Sequence, residues 1–341
     1  MPSMSLFADP AGPKWATAVL DDPDPYEHVL LTLVAQAPNG TIAIVGNAFI
    51  IYRNGHDALC LTAAHNFEFV KSVVRSGSIQ SHPTLPPDFQ VQGTQYIKTQ
   101  GCTAIWTYTG KPYVCKISKI NYIENYDVAV FTAHSDQDAP LFPVRAALDL
   151  KMPTVGDGIG VLAHRLQFSE TDEGGILERN LAFRLGTVSS NPETTDRMGQ
   201  SFSFEMTIPI PPGFSGAPIV VKPEPHKPMV VCGVVSFDLS PNDAFRNFNV
   251  AGQSRGATLW PSAGLGFEMN IEGRGQSVAL LGDLIAGKFL DVRSQNVEVS
   301  IGHREPKIQI VYCDTAVDPP NRILLETTHH PLDHLGQLRA K

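Results

Sequence analysis

Three short segments of the sequence carry side chains that could act together on an acyl carbon. A histidine ends the segment LTAAH at His65, an acid precedes the apolar run of YDVAVF at Asp127, and a serine lies between glycines in PGFSGAP at Ser215. Serine is a weak nucleophile until a base removes its proton, and a neutral imidazole can take and return that proton. A buried carboxylate fixes the imidazole tautomer and stabilises the charged form. The three residue types, in this order, therefore predict acyl-transfer chemistry.

The glycines around the serine predict how the backbone could assist. Gly213 and Gly216 allow a tight turn because neither has a Cβ in the way. Such a turn can direct the N–H groups of Gly213 and Ser215 at one point, which would form an oxyanion hole. The same turn would present the hydroxyl of Ser215 to a base.

The segments that must position these residues have the pattern of short β-strands. In the first half, β-branched and apolar runs between turn residues predict six strands, over His28–Gln36, Thr41–Tyr52, Ala58–Thr62, Cys102–Tyr108, Tyr113–Ile123 and Val128–Thr132. In the second half, similar runs predict strands over Gly158–His164, Leu181–Val188, Phe202–Ile208, Ala217–Val221 and Val230–Phe237. Short strands at regular spacing favour β-barrels over βαβ units. One amphipathic helix is predicted over Ser277–Phe289.

Composition and charge exclude several classes of function. With 43% apolar and 18% charged residues, the chain has the composition of a folded globular protein. The net charge of −8 argues against nucleic acid as the main partner, because phosphate binding needs a basic surface. No apolar run approaches the length of about 18 residues that a membrane helix requires, so no membrane partner is expected.

The termini and the cysteines predict a location. The first residues lack the basic and apolar regions of a signal peptide, and the five cysteines are widely spaced, without a CxxC pair. We therefore expect reduced thiols in a cytoplasmic protein. A disulfide between Cys102 and Cys115, across the predicted hairpin, is the alternative.

The three blocks together resemble a known family. TAAH, YDVAVF and GFSGAP are similar to the catalytic blocks of the chymotrypsin-fold, or trypsin-like, serine proteases, whose triad has the same chain order. The protease domain of bacterial HtrA-type peptidases is the most similar, since MTIPIPPGFSGAPIV (206–220) matches its serine segment without a gap. TVGD (154–157), CGVVSF (232–237) and GLGF (264–267) resemble further strands of that domain. The resemblance covers about residues 35–290.

What the resemblance implies is specific about fold and site. It implies an all-β fold of two six-stranded antiparallel β-barrels, with a C-terminal helix and a short β-containing extension. His65 would be the general base, Asp127 its orienting acid and Ser215 the nucleophile, with the oxyanion N–H groups on Gly213 and Ser215. Ser236 would contact the triad acid.

The resemblance also implies boundaries. The protease domain would span 28–290, with barrel one over about 28–135 and barrel two over about 150–290. Residues 1–27 would form a flexible N-terminal arm, and 291–341 a C-terminal extension too short for the PDZ-like domain of HtrA-type proteins. The extension could bind a regulatory protein partner.

Departures from the family concern substrate and activation. Pro209 lies where trypsins have the acid at the base of the primary pocket, and Gly264 matches a pocket-wall position. With Phe237 and Ser236 on the pocket strand, this predicts an uncharged pocket that prefers an apolar side chain. Asp238 could instead receive a basic side chain at the rim. Phe214 replaces the residue before the serine, where secreted trypsins have an acid.

Alternatives remain beside the enzyme hypothesis. The chain could be a catalytically silent binding or scaffold protein that keeps the triad by descent. GDGIG (156–160) superficially resembles a dinucleotide loop, but it lacks the GxGxxG spacing and the following helix, so no cofactor is expected. His329, His330 and His334 could suggest a metal, but a solvated tail is the favoured interpretation, and no metal site is predicted.

Overall fold

A computed structural model describes residues 16–18, 24–36, 42–67, 102–123, 126–171, 174–190, 203–211, 213–221, 229–236, 254–271, 275–293, 297–299 and 308–310. The predictions made for Phe237 and Asp238, and for the three tail histidines, lie outside these ranges.

The first elements fall within the predicted N-terminal arm. Strand β1 (Ala16–Ala18) and the short helix α1 (Asp24–Glu27) form there. The three residues of β1 pair antiparallel with Leu185, Arg184 and Phe183 of the second barrel. Residues 16–18 of the predicted arm therefore form a strand that the sequence pattern did not predict, because backbone pairing with residues 183–185 orders them.

Barrel one is built by the strands that precede and follow His65. Its strands are β2 (Leu30–Gln36), β3 (Ile42–Asn54), β4 (Asp57–Thr62), β5 (Cys102–Tyr108), β6 (Lys111–Ile123) and β7 (Tyr126–Ser135). They pair antiparallel in the order β2-β3-β4-β7-β6-β5, and β5 closes the barrel on β2. The six strands predicted in this half are thus all present.

Strand alternation explains why barrel one is buried on two sides. Successive side chains of a strand point to opposite faces. On β4, Cys60 packs inside the barrel, whereas Leu59 and Leu61 pack in a layer that contains residues of both barrels. Phe49 of β3 lies in that same layer, and Ile50 lies inside the barrel. This explains why the run ALCLT shows no polar face in the sequence.

Barrel two carries the segment of Ser215. After β8 (Ala147–Leu148) come β9 (Gly158–Thr171), β10 (Gly174–Ser190), β11 (Ser203–Met206), β12 (Pro218–Val221), β13 (Val230–Ser236) and β14 (Ser254–Thr258). The order β9-β10-β11-β14-β13-β12 closes when β12 pairs with β9. These two closed six-stranded barrels form the chymotrypsin fold, so the predicted fold class is confirmed.

The predicted helix Ser277–Phe289 is wrong over its first part. Strand β15 (Gly266–Ile271) pairs with β16 (Gly275–Leu280), and helix α2 comprises only Leu281–Ala286. The segment SVAL fits the period of a helix as well as that of a strand. It forms a strand because β15 offers it backbone hydrogen-bond partners. The Asp283 carboxylate accepts the N–H of Leu280 at 2.8 Å, which fixes the start of α2. Val278 of β16 is 64% exposed.

The hairpin of β9 and β10 is longer than predicted. Fourteen residue pairs join the two strands from Gly158–Thr187 to Thr171–Gly174. The predictions stopped at His164 and began again at Leu181, because the residues between are mostly polar and do not alternate. Within residues 291–341, the structure describes two short strands, β17 (Val297–Val299) and β18 (Ile308–Ile310), which pair with each other.

The described cysteines are thiols. Cys60, Cys102, Cys115 and Cys232 are buried and not in disulfides. Cys115 lies opposite Ala104 on the neighbouring strand, so the register does not pair it with Cys102. In the part of the chain that the structure describes, no helix has the length and apolar character to cross a membrane.

Candidate active site

His65 and Asp127 form the first half of the site, both on barrel one. His65 begins a helical turn directly after β4, and Asp127 is the second residue of β7, which pairs with β4. The imidazole Nδ1 lies 2.8 Å from Oδ2 and 3.0 Å from Oδ1 of Asp127. A carboxylate can only accept, so Nδ1 carries a proton, and in the neutral imidazole Nε2 then keeps a lone pair. This is the tautomer that a general base needs.

Two further hydrogen bonds hold the carboxylate in place, and a third fixes the residue before it. The backbone N–H of His65 donates to Asp127 Oδ1 at 3.0 Å, and the hydroxyl of Ser236 donates to Asp127 Oδ2. The neighbouring Tyr126 donates its hydroxyl to the carbonyl of Thr258 in barrel two at 2.5 Å. Burial is the main cause that raises the pKa of Tyr126 above its ordinary value, so this phenol stays a donor. The predicted contact between Ser236 and the acid is therefore present.

The turn that carries Ser215 has the glycine conformations that the sequence suggests. Gly213 and Gly216 have φ of 90° and 82°, values that favour glycine. The N–H of Ala217 donates to the carbonyl of Phe214 at 3.0 Å, and the N–H of Gly216 donates to Val235 at 2.8 Å. Within the described residues, the N–H groups of Gly213 and Ser215 donate no hydrogen bond, as the two donors of an oxyanion hole require.

The Ser215 turn lies against the segments that carry His65. The carbonyl of Ser215 accepts the backbone N–H of Asn47 at 2.7 Å and the side-chain amide of Asn66 at 3.1 Å. Asn66 directly follows His65, so the histidine and serine turns are in contact. A Cβ at Gly46 would overlap the Ser215 carbonyl oxygen, and one at Gly216 would overlap the carbonyl of Asn47. The packing of barrel one on this turn depends on both glycines.

Phe214 anchors the turn from below. Its side chain is fully buried in the core of barrel two, with Val161, Phe204 and Ala217 in the same cluster. The guanidinium carbon of Arg184 lies 5.2 Å from the centre of its ring, within the range of a cation–π contact.

The structure describes three of the predicted pocket residues, Pro209, Ser236 and Gly264. The carbonyl of Pro209 accepts Arg184 Nη1 at 2.6 Å, and the N–H of the next residue, Ile210, donates to Ser254 Oγ at 3.1 Å. Gly264 is buried at the end of a 3₁₀ helix, Trp260–Gly264. Arg255 of β14 pairs with Ser236 at the end of β13. The pocket-wall role of Gly264 stays a prediction.

Four residues of the site were missed by sequence reasoning: Asn47, Asn66, Arg184 and Ser254. Asn47 carries a usable signal, since an asparagine in the apolar strand IVGNAFI must find partners when buried. The other three have no such signal. Among the described residues, no group of three or more His, Cys, Asp or Glu side chains could hold a metal ion.

Comparisons with known proteins concern the fold. No family model matches the chain, and no curated protein matches it. Among solved structures, the MamO protease domain from Magnetospirillum magneticum in its apo form is 11% identical, covers 70% of this chain and 95% of its own, and has a TM-score of 0.37. Deg5 is 13% identical, covers 63% of this chain and 82% of its own, and has a TM-score of 0.36. GrC is 13% identical, covers 69% of this chain and 91% of its own, and has a TM-score of 0.40. At these identities the similarity says nothing about the activity of this chain.

Proposed function

We propose that this chain is a serine endopeptidase, which cleaves peptide bonds through an acyl-enzyme on Ser215. The observation that carries the proposal is the pairing of Asp127 with His65 Nδ1, next to a serine turn whose two glycines have φ near 90°. A partly buried acid that fixes the Nδ1–H tautomer serves a base. A turn whose Gly213 and Ser215 N–H groups donate no hydrogen bond within the described residues serves an oxyanion.

The first half of the reaction forms a covalent intermediate. The hydroxyl oxygen of Ser215 attacks the scissile carbonyl carbon, and His65 Nε2 takes the hydroxyl proton. Asp127 stabilises the imidazolium that results. The negative charge on the substrate oxygen is stabilised by the N–H groups of Gly213 and Ser215. His65 then returns the proton to the leaving amine as the C–N bond breaks.

The second half regenerates the enzyme. A water molecule loses a proton to His65 and attacks the acyl carbon, and Ser215 leaves with that proton. No metal or cofactor takes part in either half. The predicted base of the pocket, Pro209, carries no charge, which supports an apolar side chain of the substrate before the cleaved bond.

A fluorophosphonate probe tests the proposal. The probe phosphonylates only a serine that a base activates, so we expect labelling of the wild-type protein and none of Ser215→Ala. Circular dichroism of both proteins checks that they are folded. Folded wild-type protein that stays unlabelled would support the silent binding protein instead.

A further inference from the structure

Asn47 is a buried polar residue in a strand that is otherwise apolar. It lies on β3 of barrel one, between Val45 and Phe49, and its exposed fraction is 0%. A buried amide is costly unless its donors and acceptor are bonded. The question is therefore which groups its side chain serves.

The side chain of Asn47 bonds across to barrel two. Its Oδ1 accepts the N–H of His164 at 2.7 Å, and its Nδ2 donates to the carbonyl of His164 at 3.2 Å. Nδ2 also donates to the carbonyl of Gly213 at 2.7 Å. A flipped amide would set oxygen against two carbonyls and NH₂ against an N–H, so these bonds fix its orientation.

Asn47 thereby holds two of three successive peptide groups in the serine turn. The carbonyl of Gly213 is held by its side chain, and the carbonyl of Ser215 by its backbone N–H. The carbonyl between them, on Phe214, accepts the N–H of Ala217. All three peptide planes are thus fixed by their oxygens.

The peptide groups that Asn47 holds lie next to the peptide groups that carry the catalytic N–H groups. In a trans peptide the N–H points opposite to the C=O, so the fixed Phe214 carbonyl directs the N–H of Ser215. Rotation of the Gly213–Phe214 peptide, whose carbonyl Asn47 holds, would change ψ of Gly213 and φ of Phe214. The angle between the Gly213 N–H before this peptide and the Ser215 N–H after it would then change. Glycine resists such rotation little by itself.

We propose that Asn47 is a positioning residue for the oxyanion hole, acting through its side-chain bond to the Gly213 carbonyl. The inference rests on the proposed function. It makes the alignment of the hole depend on barrel one, although both donors belong to barrel two. Asn47 does not touch the reacting atoms, so it should affect the rate of the chemical step and leave substrate binding unchanged.

Two variants of Asn47 test this against a matched control. Asn47→Asp keeps an acceptor for the His164 N–H and replaces the donor to Gly213 by an oxygen, and Asn47→Ala removes both. Asn121→Ala is the control, since Asn121 is also a buried asparagine that donates from barrel one to a carbonyl, that of Gly266, away from the serine turn. Each protein is assayed for fluorophosphonate labelling rate, for kcat and KM on a peptide substrate, and for Tm.

We expect kcat and the labelling rate of both Asn47 variants to fall by about 100-fold, the effect of losing one oxyanion donor, with KM within about threefold. Asn121→Ala should lose Tm but keep kcat. Equal kcat in the Asn47 variants and the control would overturn the proposal, as would a rise in KM alone. Failure of both Asn47 variants to fold while Asn121→Ala folds would also overturn it, because Asn47 would then be structural. Wild-type protein that does not label is a different result, which refutes the peptidase function itself.

Discussion

The guanidinium of Arg184 contacts two residues of the loop Pro209–Ser215: it lies over the ring of Phe214 and donates a hydrogen bond to the carbonyl of Pro209. Burial, and then the nearby Arg165, lower the pKa of Arg184 from its ordinary value, but it stays a cation at neutral pH. This partly buried cation therefore contacts both ends of the loop that carries Ser215. In secreted trypsins, which the serine segment resembles, a new N-terminal amine pairs with the acid before the serine.

The first prediction concerns activation. Because Phe214 has no charge to pair with an amine, the oxyanion turn should form without cleavage of the chain near residue 28. Protein with an intact N-terminus, verified by mass spectrometry, should react with a fluorophosphonate at Ser215. Reaction confined to a form cleaved within residues 1–35 would refute this.

The second prediction concerns the triad. Ser215→Ala or His65→Ala should reduce turnover by on the order of a million-fold, because the three residues act as one unit. Asp127→Asn should cost about ten-thousand-fold, because an amide can favour the wrong imidazole tautomer. Peptide hydrolysis under single-turnover conditions measures both. Near-normal turnover in His65→Ala would show that the role of this histidine is assigned wrongly.

The third prediction concerns the contact between barrel one and the serine turn. Gly46→Ala places a methyl group on the carbonyl of Ser215 and should displace the turn, with a loss of about 100-fold in labelling rate. Gly158→Ala is the control, since a Cβ there meets nothing within 4 Å. Labelling of both variants at the wild-type rate would contradict this prediction.

The fourth prediction concerns specificity. With Pro209 at its base, the primary pocket should select apolar side chains, with about 1–3 kcal/mol between substrates that differ by one methylene. A peptide library with analysis of the cleavage sites measures the preference. Cleavage mainly after Arg or Lys, lost in Asp238→Ala, would instead assign the pocket to basic side chains.

The fifth prediction concerns pH. Burial raises the pKa of Cys102 to about 12, and burial with a smaller contribution from Asp136 raises that of Cys115 to about 12. In the unfolded chain these thiols ionise near about 8.5. The folded state then holds protons that the unfolded state loses, so this stability is complete below pH 8.5 and declines as pH rises toward 12.

Unfolding in urea at pH 7 and pH 10 measures the effect. The free energy of unfolding should fall between these values by about 1–2 kcal/mol more per thiol in the wild type than in a Cys102→Ala, Cys115→Ala double variant. Other groups titrate equally in both proteins, so their contribution cancels. An identical fall in the two proteins would show that the thiols do not titrate as their burial implies.

Much of this molecule follows from local patterns in the chain. All eleven predicted strands occur at or near their predicted positions, because alternation and turn residues act over a few neighbours. The conformation of the serine turn was also predictable, since only glycine adopts the φ of Gly213 and Gly216 without strain. Proximity of His65, Asp127 and Ser215 came from a resemblance and not from any local signal.

Other features were decided by tertiary contacts. The segment Gly275–Leu280 became a strand because β15 offers it backbone partners, although its residues suit a helix equally. Strand β14 was missed because it requires a small residue, Gly256, against Phe204 and Ile219 in place of an apolar pattern. Asn47 could be recognised as unusual in the sequence, but its partners lie 117 and 166 residues away. Residues so far apart in the sequence can form a hydrogen bond only because the two closed barrels bring their backbones together. No local segment of the sequence could therefore predict these bonds.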